Sequence, residues 1–117
     1  MDKSQAAHFA QEWVAAWNAR DLERILAHYE DDFEMSSPAI VRLTGEASGK
    51  LRGKAAVGAY WAGALAKFPD LHFDLLHVLR GADSLTLIYN GVLGLSAEVF
   101  HFAPSGKVAR AFAHYDL

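Results

Sequence analysis

A chain without cysteine has no thiolate nucleophile, no thiolate zinc site and no disulfide framework. Its chemistry, if it has any, runs on oxygen and nitrogen groups, and the best-placed of these is Glu98, a carboxylate in the run Ala97-Glu98-Val99-Phe100-His101-Phe102. Pro104-Ser105-Gly106 follows as a turn. With Ser105-Gly106 at its centre, Glu98, Phe100 and Phe102 face Ala113, Ala111 and Ala109 across a hairpin, with Tyr115 beyond on the same face. Bulky groups meeting small ones are what a packed, concave surface requires, so this face is expected to look inward. A carboxyl held there loses solvation, which raises its pKa and suits it to general acid or base work, or to donating a hydrogen bond while neutral. The competing placement for Glu98 is a solvated or arginine-paired position at the rim.

Aromatic side chains supply the second pattern. Trp13, Trp17, Tyr60 and Trp61 recur at helical spacing, which usually marks core. In so small a domain core and pocket lining overlap, so Trp13, Phe33, Met35, Trp61 and Tyr89 are expected to give a ligand an aromatic, mostly apolar cavity. Arg42 could clamp a ligand carboxylate at its mouth, against the more common reading of a solvated loop charge. Other chemistry is weakly supported. The histidines His8, His28, His72, His77, His101 and His114 form no His-x-x-x-His pair and no facial triad, so neither metal nor cofactor is expected. Asp31-Asp32 reads as a break between elements, and Pro104-Ser105-Gly106 lacks the strand–turn–helix setting of a nucleophile elbow.

The elements that must position these groups follow from periodicity. Ser4 can cap a first helix with Ala6, Phe9, Ala10, Trp13 and Trp17 on one stripe, and Asp21 a second with Leu22, Ile25, Leu26 and Tyr29 on one face. Phe33 to Ser37 alternates as a short strand ended by Pro38. Ala39 to Gly53, with three glycines, reads as a flexible connection, and Lys54 to Phe68 as a third helix stopped by Pro69. Everything beyond reads as sheet. Leu71 to Leu79 and Leu85 to Tyr89 are strands about the turn Gly81 to Ser84, and Ala97 to Ala103 and Lys107 to Asp116 form the last hairpin. Between them, Asn90-Gly91 could be the turn, or Gly91 and Gly94 could bracket it. Three helices segregated on one face of a twisted antiparallel sheet make an α+β fold, concave at its open end.

At 117 residues and 52% hydrophobic, the chain fits a single domain, residues 1–117, able to bury a real core, which excludes disorder and fibrous classes. A net charge of -3 without a basic cluster argues against nucleic acid. No apolar run is long enough to span a membrane, and no secretory leader precedes the first amphipathic stretch, so a cytoplasmic protein is expected.

Four stretches in order, Trp13 to Leu22, His28 to Phe33, Leu51 to Val57, and Glu98 to Phe102 with Gly106-Lys107-Val108, resemble the nuclear transport factor 2-like superfamily in its SnoaL-like, bacterial form. The resemblance covers nearly the whole chain and implies a cone: helices packed in a curved antiparallel sheet. Among such folds ketosteroid isomerase works with an Asp base and an oxyanion hole of a Tyr and a protonated Asp. Carried over residue by residue, its first-helix tyrosine falls on Trp13, its strand base on Ser37 and its third-helix tyrosine on Trp61. Tyr29 keeps the second-helix tyrosine, and Glu98 stands for the protonated acid. A steroid isomerase is thus not implied. What is implied is a pocket for a small, largely apolar, cyclic ligand, lined by Trp13, Trp17, Phe33, Met35, Ser37, Trp61, Tyr89, Asn90, Phe100 and Tyr115. The alternative is cofactor-independent acid–base catalysis (isomerase, cyclase or hydratase type) by Glu98, with Tyr29, Trp13 and Asn90 as hydrogen-bond donors, and a further one is a non-catalytic dimerisation module. The outer hairpin face, Val99, His101, Val108, Arg110, Phe112 and His114, is too apolar for bare water, and the resemblance adds a homodimer formed there.

Overall fold

The computed structural model describes all 117 residues. Helix α1 (Lys3–Asn18) is capped by Asp2 rather than Ser4. The Asp2 carboxylate accepts the Gln5 amide at 2.8 Å while the Gln5 side chain accepts the Asp2 amide at 2.9 Å. This reciprocal box satisfies two helix-end donors, where a Ser4 hydroxyl would satisfy one. Arg20 turns left-handed (φ 58°) to end the helix, and Asp21 caps α2 (Leu22–Leu26) by accepting the Arg24 amide.

Tyr29 is not on α2 but opens β1 (Tyr29–Ser36), which runs straight through Asp31-Asp32. The two aspartates themselves have no partner on either edge, and pairing before them at Tyr29 and after them from Glu34 carries the strand past their poor strand propensity. The register against its parallel neighbour shifts between Tyr29 and Glu34, and both aspartates are exposed. Pro38 does not merely end this strand. Ser37 accepts the Ala39 amide as N-cap, Pro38 occupies the first turn of α3 (Pro38–Thr44), and Gly45 closes it in the left-handed conformation (φ 77°). With β2 (Lys50–Arg52) paired antiparallel to β1, most of the expected flexible connection is therefore helix and strand.

Helix α4 (Lys54–Lys67) stops before Pro69 as expected. Strand β3 (Asp74–Arg80) starts later than Leu71, because the Asn18 side chain takes both backbone hydrogen bonds of Phe73, at 3.0 and 2.8 Å. Strands β4 (Ser84–Gly91), β5 (Gly94–Phe102) and β6 (Val108–Tyr115) complete a six-stranded sheet of order β2-β1-β6-β5-β4-β3. All its pairs are antiparallel except β1 with β6. Gly91 faces Gly94, so the glycines bracket the β4–β5 turn and Asn90 lies in the strand.

In the last hairpin Glu98 faces Ala113, Phe100 faces Ala111 and Val99 faces Phe112. The register then shifts, and Phe102 pairs with Val108 instead of Ala109 because the loop closes through Ala103 and Lys107. Val108 consequently turns inward and is fully buried, off the outer face. The sheet curls into an α+β cone, with one more helix, one more strand and one parallel pair beyond the expected plan. Its core gathers Trp13, Tyr29, Phe33 and Phe100 with Ile25, Leu85 and Leu87. No helix is long and apolar enough to cross a membrane.

Candidate functional site

A cavity of about 330 Å³ opens between α1, α3, α4 and the concave sheet. Helix α1 presents Trp13 and Trp17, α4 presents Tyr60, Trp61 and Ala64, and α3 closes one side with Ala39, Arg42 and Leu43. From the sheet come Met35, Tyr89, Ser96, Glu98 and Tyr115, and Phe73 and the Val92-Leu93 turn complete the wall. A wider depression of about 820 Å³ elsewhere, lined by Gln5, His8, His28 and Asp83 among others, holds no buried carboxyl. Burial there lowers the His28 pKa, which keeps that imidazole neutral near pH 7.

Glu98 is the one charged residue in the protein's interior, 4% exposed. Sheet register explains its surroundings: Leu87 and Ala113 flank it, and Tyr89, Ser96 and Tyr115 form the next inward row. The Tyr89 hydroxyl donates to Glu98 Oε1 at 3.1 Å. Loss of solvation pushes the carboxyl up to about 7, partly offset by this hydrogen bond to the charged form. No cation stands beside it to restore the usual carboxylate range. The phenols are likewise shifted upward, chiefly by burial and then by the nearby carboxylate; for Tyr60 and Tyr115 the Ser37 hydroxyl opposes the shift. Ser37, Tyr60, Tyr115, Tyr89 and Glu98 thus gather as a polar strip on an otherwise apolar wall.

Of the residues singled out in the sequence, Trp13, Trp17, Met35, Ser37, Trp61, Tyr89, Glu98 and Tyr115 are brought together around this cavity. Four are not. Phe33 packs on Tyr29 and Trp61, and Phe100 lies beneath Phe9 and Trp13, both wholly inside the core. Asn90 is exposed because strand alternation turns it away from Tyr89. Tyr29 is one layer behind the lining, where its hydroxyl accepts the Trp13 indole N–H at 3.0 Å. That bond uses up Trp13's only donor, while Tyr29, which keeps its own proton, and Asn90 are withdrawn from a ligand by position, neither lining the cavity. The donors left for a ligand are the Tyr60 and Tyr115 hydroxyls, since the Tyr89 proton is spent on Glu98 and the Trp17 indole N–H, though unpaired, is itself buried away from the cavity space. Ser96, Phe73 and Lys67 were missed. Ser96 was legible, since it shares the inward parity of Glu98.

The outer face carries half-buried Val99, His101 and Phe112 beside exposed Arg110 and His114. His101 and Arg110 both pack on the Phe112 ring, at 5.5 and 6.0 Å. No three His, Asp or Glu side chains come together, and the His72–Asp74 pair is exposed at 3.3 Å.

Comparison with known proteins places residues 10–115 in the SnoaL-like domain family. A solved SnoaL-like protein of unknown function from Burkholderia thailandensis E264 is 53% identical, with a TM-score of 0.96 over 99% of this chain and 98% of that one. A candidate isomerase of the SnoaL-like family from Agrobacterium tumefaciens C58 shares the fold at 18% identity, TM-score 0.77, over 97% and 99% of the two chains. TerC, co-crystallised with polyporic acid, does so at 16% identity and TM-score 0.76, over 96% and 92%. No curated protein matches.

Proposed function

The chain belongs to the SnoaL-like domain family, and on that premise we propose that it binds a small, largely apolar, ring-containing molecule in the cavity that Glu98 lines. The observation that carries this reading is a titratable carboxyl buried at an apolar wall, beside phenols that can orient a polar group of the ligand. A cavity of about 330 Å³ suits a compact ligand. A fold relative crystallised with polyporic acid is consistent with it. The probe is phenylnaphthylamine, an uncharged aromatic dye, followed by energy transfer from Trp13, Trp17 and Trp61. Saturable binding that disappears in Ala64→Phe, which fills the cavity, is expected. Binding that persists in the filled variant overturns the reading.

A second reading adds catalysis, favoured by the Glu98 pKa of about 7. A carboxyl half ionised at neutral pH can both take and return a proton. The Glu98 carboxylate would remove a proton from carbon next to a ligand carbonyl. The C–H electron pair then forms C=C as the carbonyl oxygen becomes an enolate, held by the Tyr60 or Tyr115 phenol. Proton return from Glu98 to the same or a conjugated carbon completes an exchange or isomerisation without cofactor. Exchange of α-hydrogens of cyclic ketones in D2O, monitored by NMR, tests it: Glu98→Gln should abolish exchange and keep dye binding.

A further inference from the structure

We propose that the ligand of this cavity is an organic anion, its apolar body lying inward against Trp17, Trp61 and Phe73 and its charged group at the mouth between Arg42 and Lys67. This rests on the reading of the cavity as a ligand site. Arg42 on α3 and Lys67 at the end of α4 both line the cavity, and both are exposed. Neither has a carboxylate partner in the protein, a state they share with most of its Lys and Arg residues; what sets these two apart is that they line the cavity. The only acid lining the cavity, Glu98, lies at its buried end. Two unpaired cations thus frame an apolar opening on a chain whose net charge is -3. Without a ligand both charges are solvated; a carboxylate or sulfonate would exchange that water for charge-assisted hydrogen bonds with its apolar part out of water, a gain that a neutral or cationic ligand does not have.

The test uses the full chain and two dyes with one aromatic body, anilinonaphthalene sulfonate and uncharged phenylnaphthylamine, read by energy transfer from the cavity tryptophans. The wild type should prefer the sulfonate, and rising salt should erode that preference. Arg42→Gln with Lys67→Gln should weaken the sulfonate about tenfold and leave the neutral dye within about twofold. The single Arg42→Gln variant should lie between the two. If both cations serve only the C-terminal ends of α3 and α4, the variants lose stability while the ratio of affinities stays put, and the anion proposal falls with the cavity reading intact. If neither dye binds the wild type, or both persist in Ala64→Phe, the cavity reading fails and takes this proposal with it.

Discussion

Replacing Glu98 by Gln keeps the size of the side chain and an oxygen for the Tyr89 hydroxyl while removing the charge. Its consequence is a pH-dependent stability difference with a defined sign. In the folded protein the carboxyl is raised from 4.5 to about 7 by burial, so the native state holds this proton more tightly than the unfolded chain does. Glu98 is therefore harmless to stability below pH 4.5 and becomes destabilising as the pH climbs through the window up to about 7. At about 1.36 kcal/mol per pKa unit, the penalty approaches about 3 kcal/mol by pH 8 and is under about 1 kcal/mol at pH 5. Urea unfolding of both proteins across this range gives the difference directly, because every other titrating group cancels. Glu98→Gln should gain about 2.5 kcal/mol on the wild type between pH 5 and pH 8, roughly 10 °C in Tm for a domain of this size. Parallel stability curves across that window would show a solvated Glu98 and refute the reasoning.

Tyr89→Phe removes the donor that favours the charged carboxyl, so the Glu98 pKa should move further up; carboxyl-carbon NMR that finds it unmoved or lowered contradicts the hydrogen bond at 3.1 Å. Tyr29→Phe should lower stability by about 1 kcal/mol through the stranded Trp13 N–H yet leave dye binding in the cavity unchanged, as chemical denaturation and titration will tell. On the proposal that the outer face carrying Val99, His101, Arg110, Phe112 and His114 meets a second copy, Phe112→Asp should turn a dimer into a monomer in sedimentation. A wild type that is monomeric at tens of micromolar ends that proposal.

Legibility in the sequence tracked how local each signal was. The stripe through Phe9, Trp13 and Trp17 and the alternation of Glu98 with Phe100 were readable because both periods are fixed by backbone geometry alone. The segment after Ser37 was not read as a helix, although Ser37 as cap, Pro38 in the first turn and Gly45 just past the end spell one. Three glycines in fifteen residues suggest flexibility by composition, whereas Gly45 acts as a stop signal at the helix end. Tyr29 was misplaced for a different reason: its spacing from Leu22 and Ile25 suits a helix, but parallel pairing with β6, distant in sequence, claims it. The same non-local cause hid Phe73, which Asn18 pins, and the shifted register that draws Val108 inward.

That displacement of Tyr29 alters the chemistry open to the cavity. In the resemblance to ketosteroid isomerase, donors come from helix tyrosines and the base from the first strand. Here the first-helix position is Trp13, whose N–H is spent on Tyr29, and the strand position is Ser37, whose oxygen caps α3. Polar capacity has moved to the opposite wall, where β4, β5 and β6 present Tyr89, Glu98 and Tyr115 in adjoining rows. The Tyr89 hydroxyl donates to Glu98, so on the proposed reading the pair would meet a ligand from one side, as neighbours, rather than from two sides as an acid facing a base. Such an arrangement suits a reaction in which one group takes and returns the same proton, since no second titrating residue is placed to complete a relay. It also explains why the helices contribute mostly shape: Trp17, Trp61 and Ala64 set the width of the cavity, and only Tyr60 among the α4 side chains reaches the polar strip. On the proposed reading, ligand selection by the helices and proton handling by the sheet would be separable, and substitutions at Ala64 and at Glu98 should affect different properties of the protein.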